Sequence, residues 1–171
     1  VVFISLGLPM PNIQFFARDE LGLSQSAFGA LVFPGAVLMA LASTSIAAYG
    51  KRLGEARAVH YGLALCLSGV LVITSAWAFP ALRTTLVFAT AGVPLGVGFL
   101  LAIPAWYATV SAIDPARRGT NIGAVMASQG IGAIFGVLIG GLTYKRIGHY
   151  APFAGCAIAL AIALFFSTWL I

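Results

Sequence analysis

Charge is what this sequence has least of. Only four acidic and nine basic residues stand among 171, together 8% of the chain. A water-soluble domain carries about 25%, because its outer surface must be hydrated. With 61% hydrophobic residues and a mean hydropathy of +1.04, this chain cannot cover a soluble surface, so a soluble enzyme is excluded and a lipid bilayer is the expected surrounding. The net charge of +5 comes from short basic clusters; no basic run interleaved with aromatics exists, so no nucleic-acid partner is expected. Cysteine is also scarce: Cys66 and Cys156 both fall in apolar stretches and read as buried thiols rather than a disulfide or metal pair. No metal and no cofactor is expected.

What is there is apolar sequence in long pieces. The charged clusters cut the chain at 1–17, 26–49, 57–79, 85–112, 120–143 and 151–171. A helix needs about 20 apolar residues to cross the hydrocarbon core. Helices satisfy every backbone polar group where water is absent, and the short alternation of a membrane barrel is missing. The expected fold is therefore an all-α membrane protein of six transmembrane helices. The first piece is short and the last carries no polar tail, so the chain is expected to be a fragment, one half of a longer protein. "PMPNIQ" without a basic leader argues against a signal peptide.

Basic residues favour cytoplasmic loops. The loops after the second and fourth pieces hold Lys51, Arg52, Arg57, Arg117 and Arg118; the other three hold Arg18, Arg83, Lys145 and Arg146. This bias places both ends in the cytoplasm of a multi-pass cell-membrane protein. His60, about one turn beyond Arg57, is expected at the interface, and His149, in a loop, is expected to be solvated.

No Asp, Glu, Lys or Arg lies centrally in any span, so this part of the chain carries no carboxylate proton relay. The polar groups that do enter the spans are amides. Asn12 and Gln14 lie in "PMPNIQFF", where Pro9 and Pro11 bend or break the helix. A broken helix with free backbone groups is a solute-binding element; a hydrogen bond to a neighbouring helix is the other reading. Gln129 faces the same two readings, and Trp106 and Tyr107, after Pro104, either belt the interface or wall a cavity. Trp77 and Trp169, near span ends, read as belt residues. An intramembrane serine enzyme would need a base at the depth of Ser128, and neither histidine supplies one, so no enzyme is expected.

Glycine is abundant. Gly132, Gly136 and Gly140 fall four apart, on one helix face, where two backbones can touch. The chain also repeats itself: "GALVFPGA" precedes "YGKRLG", and "GAVMASQG" precedes "YKRIG".

With these pieces in order, the chain resembles one six-helix half of a major facilitator superfamily transporter. That family carries Gly-x-x-x-Asp-Arg-x-Gly-Arg-Arg between the second and third helices of each half. "AYGKRLGEAR" aligns on Gly54: Arg52 matches, Lys51 replaces the aspartate, Glu55 the next arginine and Ala47 the first glycine. This degraded form suits the C-terminal half. "GAIFGVLIGG" approaches the Gly-x-x-x-Gly-Pro-x-x-Gly-Gly antiporter signature of the first half, with Val137 at the proline, and pulls the other way. The C-terminal half is favoured.

The resemblance implies a single half-domain over 1–171, built as two inverted three-helix repeats, 1–79 and 85–171, with the repeated phrases at equivalent places. It implies alternating-access transport of a small organic solute, neutral or amphipathic and in efflux by preference, together with the other six-helix half. The first and fourth helices would line the path, the second and fifth would meet the other half, and the third and sixth would lie outside. Asn12, Gln14, Phe15, Phe16, Trp106 and Gln129 become substrate candidates; Lys51, Arg52, Gly54 and Arg57 become a gating loop. A pore-forming or structural membrane subunit is the alternative.

Overall fold

The computed structural model describes residues 1–170, and they are helical with no strand among them. Five helices are long and apolar enough to cross a membrane: α3 (Gln25–Leu53), α4 (Glu55–Ala78), α5 (Thr85–Ile113), α6 (Arg118–Arg146) and α7 (Ala151–Leu170). The first expected span differs. It is two short helices, α1 (Val2–Gly7) and α2 (Ile13–Leu21), neither able to cross alone. Pro9 and Pro11 sit in the break, where each removes a backbone donor. Ile171, the last residue of the sixth expected span, lies outside the described residues.

Two connections between expected spans are shorter than the charge pattern marks them. Of residues 18–25, α2 takes up Arg18, Asp19 and Glu20 before Gly22 ends it in a left-handed turn (φ 64°). The loop expected over 50–56 shrinks to Gly54 alone, because α3 continues to Leu53 and α4 starts at Glu55. Gly54 turns the chain at φ 87°, ψ 145°, a conformation open to glycine and strained for any other residue. Ser24 and Thr84 cap α3 and α5 by accepting from the amides of Ala27 and Val87.

The helices alternate in direction. Phe3, Gly7 and Leu8 lie against Gly132, Gly136 and Gly140 in the same order, so α1 and α6 run parallel. Met39 meets Gly96 and Gly50 meets Leu101, so α3 and α5 are parallel as well. Gly62 meets Ala102 while Gly69 meets Ala91, which makes α4 and α5 antiparallel. The neighbouring pairs are α1 with α6 and α7, α2 with α3, α3 with α4 and α5, α4 with α5 and α7, and α6 with α5 and α7.

Small residues set these approaches. A Cβ on Gly62 would stand 2.7 Å from the Gly98 carbonyl oxygen, and one on Gly98 would stand 2.5 Å from that of Gly62, so α4 and α5 touch backbone to backbone. The glycine stripe of α6 is turned inward onto α1 in the same manner. Between these seams lies the core, formed by Leu63, Cys66, Val70 and Ile73 of α4 with Phe153, Cys156 and Leu160 of α7. Both cysteines are free thiols buried there. His60 joins this α4–α7 contact: the Ser167 hydroxyl donates to the Leu164 carbonyl at 2.7 Å, so its oxygen accepts from His60 Nδ1–H at 3.0 Å.

Candidate functional site

The break in the first segment leaves a polar point inside an apolar bundle. α1 stops at Gly7, the Asn12 amide turns back to the Pro9 carbonyl, and α2 then begins. Asn12 holds the N-cap position of α2, yet its side chain makes no capping bond. It is only 7% exposed, and its Nδ2 is buried without a hydrogen-bond partner. A buried amide donor left unpaired is destabilising by about 1–3 kcal/mol, so this group is a donor that lacks an acceptor.

The following residues point different ways. Gln14 is exposed, and Phe15 is 51% exposed with the Arg18 guanidinium 5.5 Å from its ring. Phe16 is 2% exposed and is held by the core: its ring lies 4.7 Å from that of Phe153, 5.0 Å edge-on to Tyr150 and 5.8 Å from Phe88. Phe16 therefore anchors α2 to α5 and α7 through packing.

Trp106 and Gln129 lie elsewhere. Trp106, on α5 just after Pro104, is 40% exposed, and the adjacent Tyr107 hydroxyl donates to Gln129 Oε1 at 2.9 Å. That bond links α5 to α6. Leu8 sits at Gly140, eleven residues along α6 from Gln129, and a helix rises 1.5 Å per residue. Asn12, beyond Leu8, is thus separated from Gln129 by more than about 16 Å along the bundle. The structure does not gather the six substrate candidates at one point. It forms two polar stations, one at the break and one at the α5–α6 contact. Tyr107, read together with Trp106 in the sequence, belongs to the second through its bond to Gln129.

A cleft of about 250 Å³ runs between α1, α6 and α7, lined by Val1, Ile4, Leu8, Ile139, Gly155, Ile158, Ala159 and Ile162. It is aliphatic throughout, and neither amide reaches it.

At one end of the bundle stand the exposed Lys51 and Arg52 in the last turn of α3, then Gly54, then the exposed Arg57 in the first turn of α4. Among the described residues none of these three cations pairs with an acid. The two on α3 sit where the helix dipole favours positive charge.

The opposite end is cross-linked by charge, and sequence reading missed it. Glu20, at the end of α2, is approached by His149 Nδ1 at 2.7 Å and by an Arg83 guanidinium nitrogen at 3.7 Å. His149, expected to be solvated, is paired instead. Tyr144 stacks on its ring at 4.8 Å and donates its hydroxyl to Asp19 at 2.9 Å. The Arg18 guanidinium donating to Asp19, and then Tyr144, hold that carboxyl below the usual aspartate range. Arg83 lies 5.5 Å over the Tyr150 ring; burial first, then the charge of Glu20, pushes the Tyr150 phenol up. These contacts bring together the turns after the first, third and fifth expected spans, which all belong at one face if the chain crosses as read.

A family model described as Major Facilitator Superfamily matches residues 1–171. No curated protein matches the chain.

Proposed function

The chain belongs to the major facilitator superfamily, a family of membrane transporters of small solutes rather than of enzymes, and from that premise we propose that it is one six-helix half, the C-terminal one, of a secondary carrier that works by alternating access. On this reading it is a single half-domain of two inverted three-helix repeats, 1–79 and 85–171, in the cell membrane with both ends cytoplasmic. Its partners are the other half and an organic solute, neutral or amphipathic, moved by preference outward.

One observation carries the pairing with a second half: α3 and α6 present matching bare notches. The repeated phrases put Gly29 and Gly35 on α3 and Gly123 and Gly130 on α6, and an added Cβ on any of the four meets nothing within 4 Å. Exposed large residues flank them, among them Phe33 and Leu38 on α3 and Met126 and Ile131 on α6. Small-residue faces of this kind let helices approach closely in lipid.

The repeat reading draws support from the helix contacts. Exchange the broken first segment with α5, α3 with α6 and α4 with α7, and the set of neighbouring pairs is unchanged. The α1–α6 contact answers α3–α5, α1–α7 answers α4–α5, and α4–α7 answers itself. The two directions agree too, since both members of the first pair are parallel.

The solute path would run along the broken segment and α5. Asn12 offers a donor to a carbonyl, ether or hydroxyl oxygen, Gln14 and Phe15 line the same stretch, and Trp106 and Gln129 form the second station. Phe16 supports the site by fixing α2 to the core. Lys51, Arg52, Gly54 and Arg57 serve as the gate. In the full protein, alanine at both Asn12 and Gln14 should lower saturable uptake or efflux at least tenfold with membrane insertion intact. Unchanged flux removes them from the path, and a linear, ion-selective current in place of saturable flux establishes a pore.

A further inference from the structure

The end of α2 carries charge in an unfavourable place. Asp19 and Glu20 sit in its last turn, where the helix dipole repels anions; Arg18 of the same turn pairs with Asp19, and Glu20 draws its partners from other elements. Glu20 is also largely withdrawn from water, its side chain 16% exposed. Two partners reach it from separate parts of the chain. Arg83 comes from the turn between α4 and α5, where it is itself fixed by donating to the Ala76 and Trp77 carbonyls at 3.1 and 3.4 Å. His149 comes from the turn between α6 and α7, and is oriented by its stack on Tyr144.

These two partners differ in kind. Arginine keeps its charge at every physiological pH, whereas imidazole is the side chain that ordinarily gains or loses its charge between pH 5 and 8. Neutral, His149 gives Glu20 a hydrogen bond; protonated, it gives a charge-assisted one. The charged and titratable groups around it are Arg18, Asp19 and Glu20 on α2, Tyr144, Lys145 and Arg146 in the last turn of α6, Arg83 in the α4–α5 turn, and Tyr150 before α7. Of these, Glu20 is the one in direct contact with Nδ1.

We propose that Glu20, Arg83 and His149 form a proton-operated clasp, which fastens α2 to both turns and tightens when His149 takes up a proton. Arg83 is the permanent half of the clasp and His149 the switched half. Because Phe16 already anchors α2 to the core, the clasp acts on the end of α2 and sets how firmly its last turn is held against the two turns. Acid in the imidazole range closes it, and rising pH loosens it. The clasp rests on the carrier reading only in that this helix borders the solute path.

The test uses the full-length transporter in lipid nanodiscs, with Cys66 and Cys156 replaced by alanine and spin labels at Phe15→Cys on α2 and Ile147→Cys after α6. Both labelled positions are exposed. Pulsed distance measurements should show the short-distance population growing roughly three- to fivefold from pH 8 to pH 6, as expected for one partly exposed ion pair. His149→Gln should hold the population constant over that range, and Glu20→Gln, which keeps the shape and loses the charge, should do the same. A parent protein without the step, or either variant retaining it, overturns the clasp. The distances are read with no solute present, so this failure is distinct from a failure to find saturable flux.

Discussion

α3 and α4 adjoin in sequence, match in apolarity and differ completely in surroundings. Their most apolar stretches have mean hydropathies of 1.9 and 1.7, yet none of the first is buried within the chain and 44% of the second is. α6 and α7 repeat the contrast at a shared 1.9, with 6% and 33% buried. In water, hydropathy and burial go together because burial is what hydropathy drives. In lipid the surroundings are as apolar as the core, so the link is cut and side-chain size takes over. α4 buries Ala58, Gly62, Cys66, Gly69 and Ala76. α3 is just as rich in small residues, but Gly29 and Gly35 stand over open space. Small side chains permit a close approach; only a neighbour completes it.

The sharpest way to break this contrast is to fill one glycine from each class. A Cβ on Gly136 would lie 2.6 Å from the Ile4 carbonyl oxygen and 2.7 Å from the Gly7 Cα, both of them backbone atoms. Gly136→Leu should therefore lower stability by about 3 kcal/mol or prevent folding altogether. Gly141→Leu, five residues along the same helix and with nothing within 4 Å of an added Cβ, should stay within about 0.5 kcal/mol. Thermal unfolding of the two variants in detergent measures the difference, and equal losses would erase the distinction. A middle-sized effect is expected at the joint between the contrasted helices. Gly54→Ala, forced to φ 87°, should cost about 1–2 kcal/mol by the same assay. The smallest change tests whether polar links add to packing: Tyr107→Phe, which removes the bond to Gln129, should cost about 0.6 kcal/mol.

How much of this was legible beforehand follows from the range of the interactions. Membrane class and five of the helices were readable because hydropathy acts residue by residue along a helix. The break near Pro9 and Pro11 was readable because proline acts on its own backbone. The joint at Gly54 was not: charge marked 50–56 as loop, but Lys51, Arg52 and Arg57 extend into water from helical turns as easily as from a coil. At the candidate site, Asn12 announced itself as an amide in a broken span, while its burial and unpaired Nδ2 depended on neighbours far along the chain. Phe16 looked the same as Phe15 in sequence, and only helix rotation separates the one in the core from the exposed one. Glu20 and His149 are 129 residues apart, and neither carries a local sign of the other.

The stripe on α6 has a further consequence. Gly132, Gly136 and Gly140 recur every four residues, which is about 6 Å along the axis. α1 lies backbone to backbone along this row, while Ile139 and Val137, 44% and 42% exposed, stand to its sides. The row therefore fixes how closely α1 approaches α6 and offers no side chain across its track. Height along the axis is left to the contacts at the two ends of α1, which act as the stops of a drawer on a smooth runner.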